Sequence, residues 1–448
     1  MMPLLKHFSA GYKTAHLNSK ILTCNSFTES YIRFVKQQSM NFRLLIFSSV
    51  IAAISFSCGS NKSTTEANAD FENQLLEKFA SAKDGDIIEL PEGTFTLQRP
   101  LVLDGVNNVT IRGKGKDKTI LSFKGQKDGA EGLRVTANNV LMEDFTVMDA
   151  KGDCIKVQDA TGVTFRNLKV GWTALHSTQN GSYGIYPVGC TNVLVDACEI
   201  FGSSDAGAYV GQSKNIVVKN CHVHDNVAGI EIENSVDADV FDNLSENNTG
   251  GILIFDLPDL PVKNGSRCRV FNNRIINNNV KNFGVKGTVV SEIPAGTGII
   301  VMATNDCQIY NNEIKGHNTI SASIVSYGSL QKPYKDTIYD PFCGGIALFD
   351  NKIERGAGKP DGSVAFGQLF TAMFGDKVPE IVYDGSVNPK YLDNTGKVKP
   401  EYKICIRNNG NVEFVNLDLA NKGKGMNRDA SKMDCSLNPL SEVKLALQ

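Results

Sequence analysis

The sequence holds one tryptophan in 448 residues and no surplus of either charge. Lys plus Arg number 46 against 48 for Asp plus Glu, so there is no basic field of the kind that draws nucleic acid, and none is expected as a partner. The apolar run at residues 44–56 is shorter than the ~20 residues a membrane-spanning helix needs. Leucine columns of the leucine-rich type are missing as well, although internal repetition is plain.

What that apolar run does suit is an export signal. It follows Met40 and Arg43 and leads into Cys58, with the small residues Ser55, Ser57 and Gly59 around it. The pattern resembles a relaxed bacterial lipoprotein signal, with Cys58 as the lipidated first residue; a simple secretory signal is the alternative. Residues 1–39 are then an upstream extension, 40–57 the signal, and 58–70 a polar tether. The domain is expected to face the periplasm or the outside, held to the membrane by lipid alone. Nine cysteines follow Cys58, and an odd number in an exported chain leaves at least one thiol free unless two chains are bridged.

Residues 71–419 repeat. "VTFRNLKV", "VLVDACEI", "IVVKNCHV", "CRVFNNRI" and "CQIYNNEI" each alternate apolar with polar, turn at a polar or small residue, and alternate again. Their corner column is Asp144, Asn167, Ala197, Asn220, Asp242, Asn272, Asn311 and Asp350, at spacings of 23, 30, 23, 22, 30, 39 and 39. The next column runs Phe145, Leu168, Cys198, Cys221, then Asn243, Asn273, Asn312 and Asn351. Stacked Asn side chains at levels about 4.8 Å apart can bond to one another and to the backbone at a bend. A third set of strands, among them "EGLRVTA", "VAGIEIE" and "CGGIALF", precedes each pair, with Gly recurring before the first core residue. Such a Gly column implies unusual backbone angles or close packing.

Three short strands per coil of about 22 residues predict an all-β, single-stranded, right-handed parallel β-helix. A helix beginning at Phe71, with Phe71, Leu75, Leu76 and Phe79 at helical spacing, is placed as the N-terminal cap. Residues 171–184, 256–266, 281–297, 327–343 and 356–400 break the period as insertions, and 420–448 form a C-terminal tail. The repeats resemble the pectate-lyase-like parallel β-helix superfamily, in its branch of secreted lipoproteins and carbohydrate-active proteins. That resemblance implies the fold and a long groove for a linear polymer; it does not choose among lyases, hydrolases, epimerases, binding proteins and spikes.

Outward positions of the leading strands form a column: Arg134, Lys156, Tyr186, Tyr209, Glu231, Leu253, Ile300 and Ala347. Glu131, Asp153, Tyr183, Gln158 and Glu233 flank it. Ionisable groups and Tyr gather at one end. They match what C5 proton abstraction from a uronic acid requires, as in a lyase or an epimerase acting on an acidic polysaccharide. Arg134 and Lys156 can neutralise the uronate carboxylate, Tyr186 or Tyr209 can act as base if a cation lowers its pKa, and Glu231 can serve as partner acid. Tyr183 and Glu233 can bind substrate. In the first insertion, Trp172 can stack on a sugar or pack the loop, and His176 is an alternative base.

Each of these readings has a plainer counterpart, a solvated face on a non-catalytic carbohydrate-binding or scaffold protein. Against catalysis stands the lack of a compact Asp-Pro-His-Asp stretch or of the Arg-rich set of pectate lyases. Some lyases of the superfamily use calcium, for which Asp153, Glu231 and Glu233 are the candidate oxygens; otherwise no cofactor and no metal site is expected. Hydrolysis is the weaker enzymatic option because Asp153 and Asp205 lie two coils apart. "CHVHD" puts His222 and His224 outward and Cys221 inward, so the imidazoles are read as lying over Glu199 and Phe201. Cys198 and Cys221, on adjacent coils, are read as free thiols. A monomer is expected.

Overall fold

The computed structural model describes residues 64–447, with side chains from residue 70. The upstream extension, the signal, Cys58 and the first part of the tether lie outside the described residues. Within them, every named strand pairing is parallel, and the strands form three sheets of eleven, eleven and ten. Each coil passes from the leading sheet to the second and then the third, as Leu133–Asn138, Val140–Glu143 and Thr146–Met148 do. Repeat units in sequence become neighbours in space: Val163 pairs with Val193, Val193 with Ile216, and Cys268 with Cys307. Inward side chains of all three sheets make one continuous apolar core.

The corner column has the left-handed backbone throughout, with φ between 48° and 62° at Asp144, Asn167, Ala197, Asn220, Asp242, Asn272, Asn311 and Asp350. Asp and Asn tolerate that conformation better than other side chains, which is why they recur there. One residue later, Asn243, Asn273, Asn312 and Asn351 are buried in a ladder that ends on Asn409. Each donates through Nδ2 to the Oδ1 of the next, at 3.0, 3.0, 2.9 and 2.9 Å. A second ladder, Asn226, Asn248, Asn278 and His317, runs along the corner between the third and leading sheets. The Gly column reflects close packing: a Cβ on Gly229 would meet the Gly251 carbonyl oxygen at 2.6 Å.

Thr64–Ala80 is the capping helix, longer than the sequence pattern showed, with Leu75 and Phe79 buried on the first coils. Ala365–Phe374 is the helix of the last insertion. At the far end Ile404–Arg407 and Phe414–Asn416 extend the second and leading sheets. The tail returns along the outside of the second sheet. Cys435 is bonded to Cys405, and Val443 N donates to Asp239 Oδ2 at 2.9 Å. The other seven described cysteines are free and buried, Cys198 and Cys221 among them.

One strand assignment is corrected. Gly344–Phe349 belongs to the second sheet, where Ala347 pairs with Gln308. The leading strand of that coil is Ile320–Val325, and Ser323 stands beside Ile300 where Ala347 was expected. Ile320–Val325 opens without the Gly that marks its neighbours, and the alternation of "GGIALF" fits either sheet.

Candidate active-site groove

Pairing across the leading sheet sets the outward column. Arg134 neighbours Lys156, Lys156 neighbours Tyr186, and Tyr209 is followed by Glu231 and Leu253. Because the pleat alternates, a second outward row holds Gly211, Glu233 and Phe255 on successive strands, and a third holds Tyr183, Ala206 and Ala228. The structure therefore brings together Arg134, Lys156, Tyr183, Tyr186, Tyr209, Glu231 and Glu233, with Asp153 and Asp205 at the edge where the leading strands begin.

The apolar half of this face is roofed. Phe283, Val290 and Ile293 of the 281–297 insertion form an outer cluster with Leu253, Phe255, Ile300 and Met302. Tyr327 and Tyr339 of the 327–343 insertion join it, and the Tyr339 hydroxyl donates to the Asp256 carbonyl oxygen at 2.6 Å. These two insertions thus cover the sheet outright, because the face beneath them is apolar and its burial is favourable. The roof reaches as far as Ala206, Ala228 and Tyr209. Beyond it the face is open: Tyr183, Tyr186, Lys156 and Asp153 are half-buried and Arg134 is exposed.

Three tyrosines stand where roof and open face meet. Tyr183 lies 4.5 Å from both Tyr186 and Tyr209, ring centre to ring centre, and Tyr186 meets Tyr209 edge-on at 5.0 Å. Lys156 Nζ sits 5.1 Å above the Tyr186 ring. Tyr209 lies over Gly211, where a Cβ would come within 2.4 Å of its hydroxyl, and donates to Glu233 Oε1 at 2.5 Å. Glu231, 2% exposed, lies two residues from Glu233 on the same face of the strand, and its Oε2 has no partner.

Electrostatics follow burial. Desolvation, reinforced by the neighbouring carboxylates, raises Tyr183, Tyr186 and Tyr209, with Tyr186 pushed up to about 12. A phenol made more acidic by a nearby cation was the sequence expectation; instead Lys156 lies on the ring face while Asp153, Asp205 and Glu233 surround the phenols. Burial, with help from Asp205 and Glu233, holds Glu231 well above the carboxylate range, and burial also raises Glu233. Asp205 rises to about 8, by burial first and then by Glu233 and Asp153. Asp153 rises to about 6, where burial outweighs the opposing pull of Lys156 and of the Tyr183 backbone N–H.

Two expected site residues are used otherwise. Trp172 is 3% exposed, packed in the core, and its Nε1 donates to the Ala150 carbonyl oxygen at 2.7 Å, so it anchors the loop and has no face to offer a sugar. His176 lies on the rim, with Nε2 2.8 Å from Asp225 Oδ1 and its ring 5.5 Å from Phe283. Its partners are there, apart from the column. His224 stacks on Phe201 at 5.2 Å and His222 meets Glu246 at 3.0 Å. Among the described residues no group of three or more His, Cys, Asp or Glu is spaced to hold a metal ion.

The family described as "Right handed beta helix region" matches residues 131–355. No curated protein matches the chain by sequence. Solved structures match in fold. The mannuronan C-5 epimerase A-module of Azotobacter vinelandii is 13% identical, covering 70% of this chain and 89% of its own, with a TM-score of 0.43. DFA-IIIase of Arthrobacter chlorophenolicus is 11% identical, covering 75% and 93%, at 0.39. An alginate lyase of a Paenibacillus species is 14% identical, covering 64% and 94%, at 0.32.

Proposed function

The chain belongs to the right handed beta helix family, and we propose that it is a carbohydrate-active member that abstracts the C5 proton of a uronic acid unit in an acidic polysaccharide, as a lyase or an epimerase. One observation carries this reading: Arg134 and Lys156 are paired on adjacent strands of the open face, beside Asp153 and Tyr186. The two cations take the uronate carboxylate and make the C5 hydrogen acidic. Asp153, raised to about 6, is ionised near neutral pH yet basic enough to accept the proton. Tyr186, pushed up to about 12, keeps its proton and can donate it. In elimination the C5–H electrons form the C4–C5 double bond, the C4–O bond breaks, and the leaving oxygen takes the Tyr186 proton. In epimerisation a proton returns to C5 from the opposite face.

The base is thereby moved from the phenols to a carboxylate, because burial drives the phenols the wrong way. The assay is ultraviolet absorbance of the new double bond against a panel of uronic acid polymers. A lyase gives a rise that Lys156→Ala and Asp153→Asn abolish, and an epimerase gives C5 hydrogen exchange without a rise, lost in the same variants; turnover unchanged by both would put the chemistry elsewhere. A second reading, a non-catalytic carbohydrate-binding face, is favoured by the burial of Tyr209, Glu231 and Glu233, and it expects binding without turnover. In either case we place the domain outside the cytoplasm on a lipid carried by Cys58, which metabolic acyl labelling lost on Cys58→Ser would support.

A further inference from the structure

The leading sheet has eleven strands, but its outer face is open over only the first four, from Leu101–Asn107 to Tyr183–Val188. At ~4.8 Å per strand this is on the order of 15 Å. At the N-terminal side nothing stops a polymer: Asp104, Arg134 and Thr136 are exposed. At the other side the face closes within one strand. Tyr183, Tyr186 and Val289 pack against the roof cluster, and behind them Tyr209 is buried. Past that wall the outward positions are Leu253 and Ile300, both under the insertions. A linear chain cannot run through.

We propose that the groove is blind and binds the end of an acidic polysaccharide chain, its terminal unit against Tyr183 and Tyr186 and its carboxylates on Lys156 and Arg134. The inference rests on the substrate class proposed above and adds the mode of attack. Charge agrees with it. Lys156 and Arg134 lie on the open side, whereas the outward positions behind the wall, Tyr209, Glu231, Glu233, Leu253 and Phe255, are buried and offer a further uronate no cation. If turnover is elimination, its product is then short, released from one end while the rest of the polymer stays long.

Two measurements test this. Binding stoichiometry of the Asp153→Asn variant is taken by sedimentation on uronic acid chains of increasing length. A blind groove binds a fixed number of proteins per chain whatever the length; a through groove binds a number that grows with length, and that result overturns the proposal while leaving the proposed chemistry intact. If the variant fails to fold or bind, the wild-type protein decides: if it epimerises, C5 exchange confined to the chain end supports the blind groove and exchange spread along the chain overturns it; if it cleaves, product sizes serve. Short products from the first turnovers, with viscosity nearly unchanged, support the blind groove, and a ladder of intermediate lengths with an early fall in viscosity overturns it. Absence of both binding and turnover by the wild-type protein on every acidic polymer removes the substrate class itself, and the end-binding mode with it.

Discussion

Asp153 and Asp205 start two leading strands of the same face, yet their surroundings set them two tasks. Half-buried Asp153, beside Lys156, is placed to titrate near neutrality, so kcat/KM is expected to fall as pH drops below about 6, since the base must be ionised. A pH–rate profile on whichever polymer turns over checks it; activity flat down to about pH 4.5 would argue against Asp153. Asp205 is buried and keeps its proton to about 8. The folded state then binds more protons than the unfolded one, so stability falls as pH rises from about 4 to about 8. Asp205→Asn should flatten that dependence, raising Tm at pH 8 relative to pH 5 by a few degrees more than in the wild type. The positions of these acids could be read from alternation. Their protonation could not, because it depends on how deeply each acid is buried and on what charge stands beside it, which alternation does not set.

Strands were legible wherever period and composition agreed, and the corner column was read residue for residue. Ile320–Val325 escaped because it lacks the Gly of its neighbours, so "GGIALF" was given its place. The Asn ladder shows what periodicity contributes: Asn273 accepts at Oδ1 from Asn243 and donates from Nδ2 to Asn312 and to the Val240 carbonyl oxygen. Asn273→Ala strands buried partners on both neighbouring coils and is expected to cost about 1–3 kcal/mol or more in denaturant unfolding. A loss below about 0.5 kcal/mol would mean that water replaces the side chain. Trp172 was open to two readings in the sequence, since an inserted loop has no register to orient it. As the only tryptophan of the chain, it reports on itself. Its emission should be blue-shifted, poorly quenched by acrylamide and unmoved by saccharide; strong quenching would place it at the surface.

The described residues form a stack whose two ends and one face are closed by non-repeating chain. The capping helix covers the first coils, the Cys405–Cys435 bridge fastens the tail, and the insertions roof the apolar half of the groove. Sequence showed that these pieces break the repeat, but where each lands is decided by apolar surface left exposed many coils away. What remains open is the Arg134–Lys156–Asp153–Tyr186 face. The most direct test of its chemistry is deuterium incorporation at C5, followed by NMR in heavy water with uronic acid oligosaccharides, because a lyase and an epimerase both break that bond. The account predicts exchange or an unsaturated product, reduced by about a hundredfold or more in Asp153→Asn and in Lys156→Ala. Neither exchange nor unsaturation with any oligosaccharide, or turnover that survives both substitutions, would contradict it.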